Sequence, residues 1–282
     1  TREESDAKAE SIFNGVCERF RQGMLKDNAQ LNAMTARMLA VFKSTAWAVL
    51  EQVRSSRFKP AATEISFGMG GTFPPIMINT PEGEALQIRG KIDRIDRYRD
   101  ENGVHISIID YKSGDKKINI ADIVNGTELQ LMLYMGAVID NLPEKDTHPA
   151  GAFYMRIHNP IVKGSSDIED SWLKAFRRKG LMSSNGAIEN TETKKFVQGS
   201  SICEEDFRRL IDIALKNASD ISSKALNGFI PIEPLRDSVR ACAFCEYKSI
   251  CRFNKAYSGN RERIAEEAVL STDSDFTKGG EA

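Results

Sequence analysis

The chain has 282 residues, 41% of them hydrophobic and 28% charged, which supplies enough apolar material for a sizeable core and excludes disorder throughout. Its 39 Lys plus Arg stand against 40 Asp plus Glu, so no global positive field advertises nucleic acid or an anionic membrane, and any polyanion site has to be a local groove. No stretch reaches the roughly 18 consecutive apolar residues of a membrane span, and the start TREESDAKAES is charged where a secretory leader is apolar; a soluble, cytoplasmic protein is expected.

Residues 3–55 read as two long helices, with Ile12, Phe13, Val16 and Phe20 on one stripe and Leu31, Met34, Met38, Val41 and Phe42 on the next, a helical scaffold packing on a sheet. The chain enters this pattern directly and without an initiator Met, as a piece of a longer chain would. From 63 to 112 the period changes to two, and TEISFG, PPIMI, ALQIRGKIDRIDRY and VHISIIDYK form a predicted β-meander punctuated by Gly, Pro and Asn-Gly. Helical spacing returns over 121–142, GAFYMRI at 151–157 reads as a buried strand, and 204–227 as a helix. The polar stretch 159–203, with a helical piece around DSWLKAFRRKG, is read as an excursion. The whole suggests one α/β domain: helices at 1–60, sheet and helix at 61–158, the excursion, a helix and cysteine cluster at 204–258, and a flexible tail at 259–282. No Walker A pattern occurs, so ATP hydrolysis is not expected of this chain.

The stretch IIDYKSG, 108–114, carries the chemistry. On a strand Asp110 and Lys112 face one way and Tyr111 the other, so an acid and an amine are aimed at one spot. If residues 100–103 form the hairpin loop, 99 falls opposite 104 and Asp93 opposite Asp110. Two facing carboxylates repel unless something positive lies between them, and a divalent cation is the natural candidate. Mg²⁺ takes carboxylate oxygens and keeps waters, and Lys112 would then orient water or stabilise charge on a phosphate. Asp96, three residues from Asp93, faces away and is not expected to be a ligand. Arg89, Lys91, Arg94 and Arg97, with Lys116 and Lys117, are the expected local basic groove.

GKIDRID, IIDYKSG and the Q-x-x-x-Y of QLMLY together resemble the PD-(D/E)xK nuclease domain of the RecB type, and more narrowly the C-terminal nuclease domain of the AddB/RexB family, over most of the chain. The resemblance implies a restriction-endonuclease-like α/β core with a central mixed sheet flanked by helices. It implies that Asp93 and Asp110 ligate Mg²⁺ or Mn²⁺ and that Lys112 is the catalytic lysine. Gln130 and Tyr134, at i and i+4 on one helix face, match the family's Q-x-x-x-Y feature, and Glu64 sits where the family carries an acid. The implied activity is metal-dependent exonucleolytic hydrolysis of single-stranded DNA delivered by a helicase in double-strand-break repair, with an AddA-like helicase–nuclease subunit as partner. One position departs: a His often found in the first helix is Asn14 here, a weaker ligand. That substitution supports an alternative, a DNA-binding or assembly module of the same complex whose chemistry has decayed.

Cys242, Cys245 and Cys251 give C-x₂-C-x₅-C, three thiols at a spacing suited to an iron–sulfur cluster or zinc, either of which normally takes four ligands. The family resemblance implies a [4Fe-4S] cluster whose fourth cysteine lies upstream of the nuclease domain, so the cluster is expected in the longer parent and not in this stretch alone. Cys17 is expected to be a buried thiol and Cys203 structural or free. A purely structural zinc ribbon fails on the lone triple.

Overall fold

The computed structural model describes residues 1–20, 28–144, 146–162, 168–184, 187–188, 196–236, 242–243, 245–257 and 259–267. Of the tail expected at 259–282, residues 268–282 thus lie outside the described residues. Helix α1 (Arg2–Arg19) begins in a capping box in which Thr1 and Glu4 satisfy each other's backbone N–H groups, and α2 (Ala29–Ser55) begins at Asn28, whose side chain accepts from Leu31 N at 2.9 Å. The two helices pack on each other and are joined by Lys43 and Glu10 at 2.6 Å. Only the second half of α2 reaches the sheet, burying Trp47 and Ala48 and donating from Gln52 Nε2 to the Phe176 carbonyl. The sequence expectation needs correction here: Ile12, Val16, Phe20, Met38 and Phe42 stay exposed, because α1 lies on α2 and the stripes do not meet the sheet.

The strands are β1 (Lys59–Phe67), β2 (Ile76–Asn79), β3 (Ala85–Ile88), β4 (Gly90–Asp100), β5 (Gly103–Lys112), β6 (Thr147–Arg156), β7 (Arg178–Ser183) and β8 (Val197–Ile202). Six of them form a mixed sheet in the order β1-β4-β5-β6-β7-β8, with β5–β6 and β7–β8 parallel and the other pairs antiparallel. Strands β2 and β3 make a separate hairpin. Helices α3 (Ile120–Val124) and α4 (Gln130–Asn141) carry the chain from β5 to the parallel β6, as parallel pairing requires. The remaining helices are α5 (Ile168–Lys174), α6 (Glu204–Leu226) and the short α7 (Lys248–Cys251). Cys203 caps α6, its sulfur accepting from Asp206 N, and Cys17 is buried in α1.

Strand alternation sorts the central sheet into two faces. Ile106 and Ile108 of β5 and Ala152 and Tyr154 of β6 join the core under α4 and α6, whereas Ile109, Phe153 and Met155 join Ala48, Phe58 and Phe176 on the other side. Strand β5 is buried on both faces from Val104 to Asp110, with the polar His105 and Ser107 set among its apolar residues. Among the described residues no helix is long and apolar enough to cross a membrane.

Three sequence expectations differ from the fold. The stretch read as a single helix over 121–142 is two helices, broken after Asn125, the C-cap of α3. The strand expected over 85–98 is interrupted at Arg89, which separates the β2–β3 hairpin from the sheet. The polar stretch 159–203 contributes β7 and β8 to the main sheet; its expected helical piece is met in part, α5 ending at Lys174 and the Arg178-Lys179-Gly180 of the same stretch opening β7. The two strands lack an apolar signature because they hold Gly180 and Gly199 where neighbouring backbones come close: a Cβ at Gly180 would stand 1.9 Å from the Ala152 carbonyl oxygen.

After α6 the chain returns to the end of helix α3. Asn125 is 3% exposed, and its side chain exchanges both amide bonds with the Glu266 backbone, Nδ2 donating to the carbonyl at 2.9 Å and Oδ1 accepting from the N–H at 2.8 Å. Arg263 Nη2 donates to the Asn125 carbonyl at 2.9 Å and its backbone bridges Leu235. Substitution Gly180→Ala is expected to destabilise the fold by about 3 kcal/mol or more, because backbone and not a flexible side chain must give way. Thermal melting followed by circular dichroism checks it; a melting point unchanged from the parent contradicts the close β6–β7 packing.

Candidate active site

The β4–β5 hairpin turns at Glu101 and Asn102, pairs Asp100 with Gly103 and Arg99 with Val104, and keeps that register to Arg94 opposite Ile109. One further step brings Asp93 level with Asp110, the register expected from the sequence. Asp93 lies half-buried, its Oδ2 accepting from the Tyr111 N–H at 2.8 Å. Asp110 is 3% exposed. Its Oδ1 accepts from Gln130 Nε2 at 2.8 Å, and its Oδ2 stands 2.7 Å from Lys112 Nζ. That ammonium approaches off the line of a hydrogen bond, so the contact is one of charge and Oδ2 remains a buried oxygen with no donor aligned on it.

Gln130 is the first residue of α4 and ties the site together. Its Oε1 accepts from Lys112 Nζ at 3.1 Å while its Nε2 serves Asp110 and the Tyr134 hydroxyl, the latter at 3.0 Å. The i, i+4 spacing thus brings Tyr134 into the same network, and its ring meets Phe67 edge-on with centroids 5.6 Å apart. Gly90 makes room for this pair: a Cβ there would lie 2.5 Å from the Phe67 ring and 3.1 Å from Tyr134. Burial raises the Asp110 carboxyl above the ordinary carboxylate value; Lys112 opposes that rise and the neighbouring Asp93 adds to it.

An acid whose second oxygen is buried without an aligned donor, level with another carboxylate, fits a hard divalent cation that keeps waters on its remaining positions. Among the described residues no three His, Cys, Asp or Glu side chains converge to hold a metal, so two carboxylates are what the chain offers there. The cysteines do not form such a group: Cys242 and Cys251 are half-buried, Cys245 is exposed, all are free, and residues 237–241 and 244 lie outside the described set.

The opposite face of β4 and β5 holds a second ionic network. Arg94 forks onto both oxygens of Asp96 and donates to the Tyr111 hydroxyl at 3.2 Å. Arg178 of β7 joins at 3.9 Å from Asp96; burial pushes this guanidinium down to about 10, and its Nε has no hydrogen-bond partner. Asp96 is therefore turned from the site, as expected. Arg94 is not part of a basic groove, a correction to the sequence reading: strand alternation takes it to the far face, where it is 3% exposed.

Of the other expected cations, Lys116 lies over the Tyr154 ring and Lys117 lines a hollow with Lys179, while those of the β3–β4 segment are scattered. Lys91 pairs with Glu64, Arg97 with Glu144, and Arg89 is exposed. Glu64 falls level with Asp93 in the β1–β4 register but adopts φ 57, a strained conformation for a non-glycine residue, and its side chain turns to Lys91. Asn14 makes no hydrogen bond to the Asp93–Asp110–Lys112 group. Sequence reasoning missed Tyr154 and Glu128. Tyr154 lies opposite Asp110 in β6, with Lys112 and Lys116 over its ring at 5.5 and 4.5 Å; its hydroxyl donates to Glu128, which also pairs with Lys116 at 2.6 Å. Only knowledge that β6 pairs in parallel beside β5 would have found them.

Residues 1–252 match the model of the PD-(D/E)XK nuclease superfamily. The chain is also similar to bacterial proteins whose name makes each of them one subunit of an ATP-dependent helicase/deoxyribonuclease. It is 30% identical to that of Alkaliphilus oremlandii over 95% of this chain and 26% of the relative. The identity is 31% to that of Clostridium novyi over 91% of this chain and 25% of the relative. To that of Caldanaerobacter subterraneus it is 32%, over 90% of this chain and 24% of the relative. The chain thus spans about a quarter of the length of the curated relatives it matches.

Because the folded-state value of Asp110 lies above its unfolded one, its ionised form costs the fold stability at neutral pH, and that cost disappears as pH falls through the raised value. Asp110→Asn is therefore expected to melt higher than the parent at pH 7 and to lose that advantage on acidification. Thermal melts across the acid range check this; a lower melting point at pH 7 would mean that the Lys112 contact outweighs burial.

Proposed function

This chain belongs to the PD-(D/E)XK nuclease superfamily, and on that premise we infer that it hydrolyses phosphodiester bonds of DNA at the Asp93–Asp110–Lys112 site. The observation that carries the reading is the level pair of carboxylates, one with a buried oxygen lacking an aligned donor and with a lysine ammonium 2.7 Å away. Asp93 and Asp110 would hold Mg²⁺ or Mn²⁺, which when bound polarises the phosphoryl group and makes its water a better nucleophile. Lys112 supplies a fixed positive charge beside the reacting phosphate. Gln130 sets the position of both Lys112 and Asp110, and Tyr134 sets that of Gln130. Tyr154 walls the site with an aromatic face under Lys112.

The names of the relatives support a deoxyribonuclease that works in one complex with a helicase; the finer reading, a single strand cut exonucleolytically in double-strand-break repair with an AddA-like helicase–nuclease subunit as partner in the cytoplasm, rests on the family resemblance of the motifs. The spacing of Cys242, Cys245 and Cys251 supports three ligands of a [4Fe-4S] cluster whose fourth ligand is outside the triple; no catalytic step runs through it. A decayed binding module is the second reading, favoured by Asn14 where the family resemblance implies a His.

Cleavage of a labelled single-stranded oligonucleotide with Mg²⁺ or Mn²⁺ separates the two. The unmodified protein is expected to cut, and Asp110→Ala and Lys112→Ala each to lose roughly 10²-fold or more in rate. Metal-dependent cutting that survives both substitutions would remove this site from the chemistry. Absence of cutting by a folded, unmodified protein would favour the decayed module.

A further inference from the structure

The cations that gather near the site lie toward β6 and β7, where Lys116 and Lys117 of the expected groove are joined by Arg156 and Lys179. Across the sheet, one row runs Asp110, Tyr154, Lys179 and Gln198, and the adjoining row places Arg156 beside Lys112. Paired neighbours share a face, so Lys112, Arg156 and Lys179 all point to the side of the site. Lys179 is two strands from Asp110, roughly 10 Å.

Two concavities adjoin along this line and share Lys179. A small one of about 60 Å³ is walled by Tyr154, Arg156 and Arg177, and a larger one of about 310 Å³ lies beyond it, between Lys117, Ile118 and the Gly180 and Gly199 backbones. Neither glycine position admits a side chain, since a Cβ at Gly199 would stand 1.7 Å from the Gly180 carbonyl oxygen; the floor is bare peptide flanked by Gln198 and Ser200. Arg156 and Lys117 are exposed and form no ion pair among the described residues. Lys179 is held at 2.6 Å by Asp115, an acid 48% exposed, and such a pair is readily displaced by a stronger anion.

The geometry points to a path for one unpaired polynucleotide strand leaving the site over β6 and β7, with phosphates on Arg156, Lys179 and Lys117 and one nucleotide seated in the hollow between β7 and β8. A hollow of this size takes a single flipped-out nucleotide, while a duplex keeps its bases inside and cannot enter. Asp115 is then a competitor that the incoming phosphate displaces. The inference rests on the nuclease reading for its direction but makes its own claim about where the substrate binds.

The test measures fluorescence anisotropy of a labelled single strand with chelator present, so that no cleavage occurs, beside cleavage with Mg²⁺ or Mn²⁺. Arg156→Ala with Lys179→Ala is expected to weaken binding about tenfold and to lower the slope of log affinity against log salt by roughly 0.7 per cation removed. Asp115→Asn is expected to tighten binding, an effect that misfolding does not imitate, and Lys224→Ala on α6 to change nothing. In the cleavage assay the double variant raises KM and leaves kcat. Affinities and slopes unchanged in both Asp115→Asn and the double variant overturn the path, and continued cutting by the parent then leaves the nuclease reading standing. A parent that binds as described but never cuts overturns the nuclease reading and leaves the path. A parent that binds no single strand overturns the path whatever its cleavage.

Discussion

Everything at the site depends on holding two like charges level across one pair of strands. The β4–β5 ladder keeps a single register from its turn to its last pair, Arg94 with Ile109, and Asp93 and Asp110 fall level one step beyond it. A slip of one residue would send one acid to the opposite face, so the register is a condition of the proposed chemistry. It is guarded from both sides of the sheet. In front, Asp93 takes the Tyr111 N–H and Gln130 spans Lys112 and Asp110. Behind, Arg94 clasps Asp96 two residues along the same strand and reaches the Tyr111 hydroxyl on the next. The residue between the acid and the lysine is thereby fastened at its backbone and at its side chain.

The two faces solve different electrostatic problems. The rear network is closed to water, and removing one member of such a buried pair typically costs several kcal/mol because the survivor is left uncompensated. Its surplus falls on Arg178, fully buried with one N–H unpartnered. The front is left open to solvent at Lys112 and imperfectly satisfied at Asp110. A protein that folded only for stability would have no reason to keep an acid there, and local inconsistency of this kind is where function is expected to show.

Much of the centre was legible because it follows from local rules. Alternation gave the faces of Asp110, Tyr111 and Lys112, hairpin length gave the Asp93 register, and helical spacing joined Gln130 to Tyr134. What escaped depends on pairing between distant segments. Tyr154 reaches the site only because β6 runs parallel to β5, and β7 and β8 are strands only because their glycines let backbones approach, which reads in sequence as a loop. Arg94 shows the opposite failure: its alternation was available, yet its charge drew it into an expected groove. The stripes on α1 and α2 were real, but amphipathicity states that a face is apolar and not what covers it.

The Asn125 clasp joins parts of the chain that are far apart in sequence. The segment around Glu266 is bonded to the shoulder from which, five residues later, Gln130 begins α4. Those bonds tie the end of the described chain to the turn that leads into α4. Release of that segment frees the Asn125 amide and loosens the ground on which Gln130 stands, so the precision of the site is tied to a stretch of chain that never touches it.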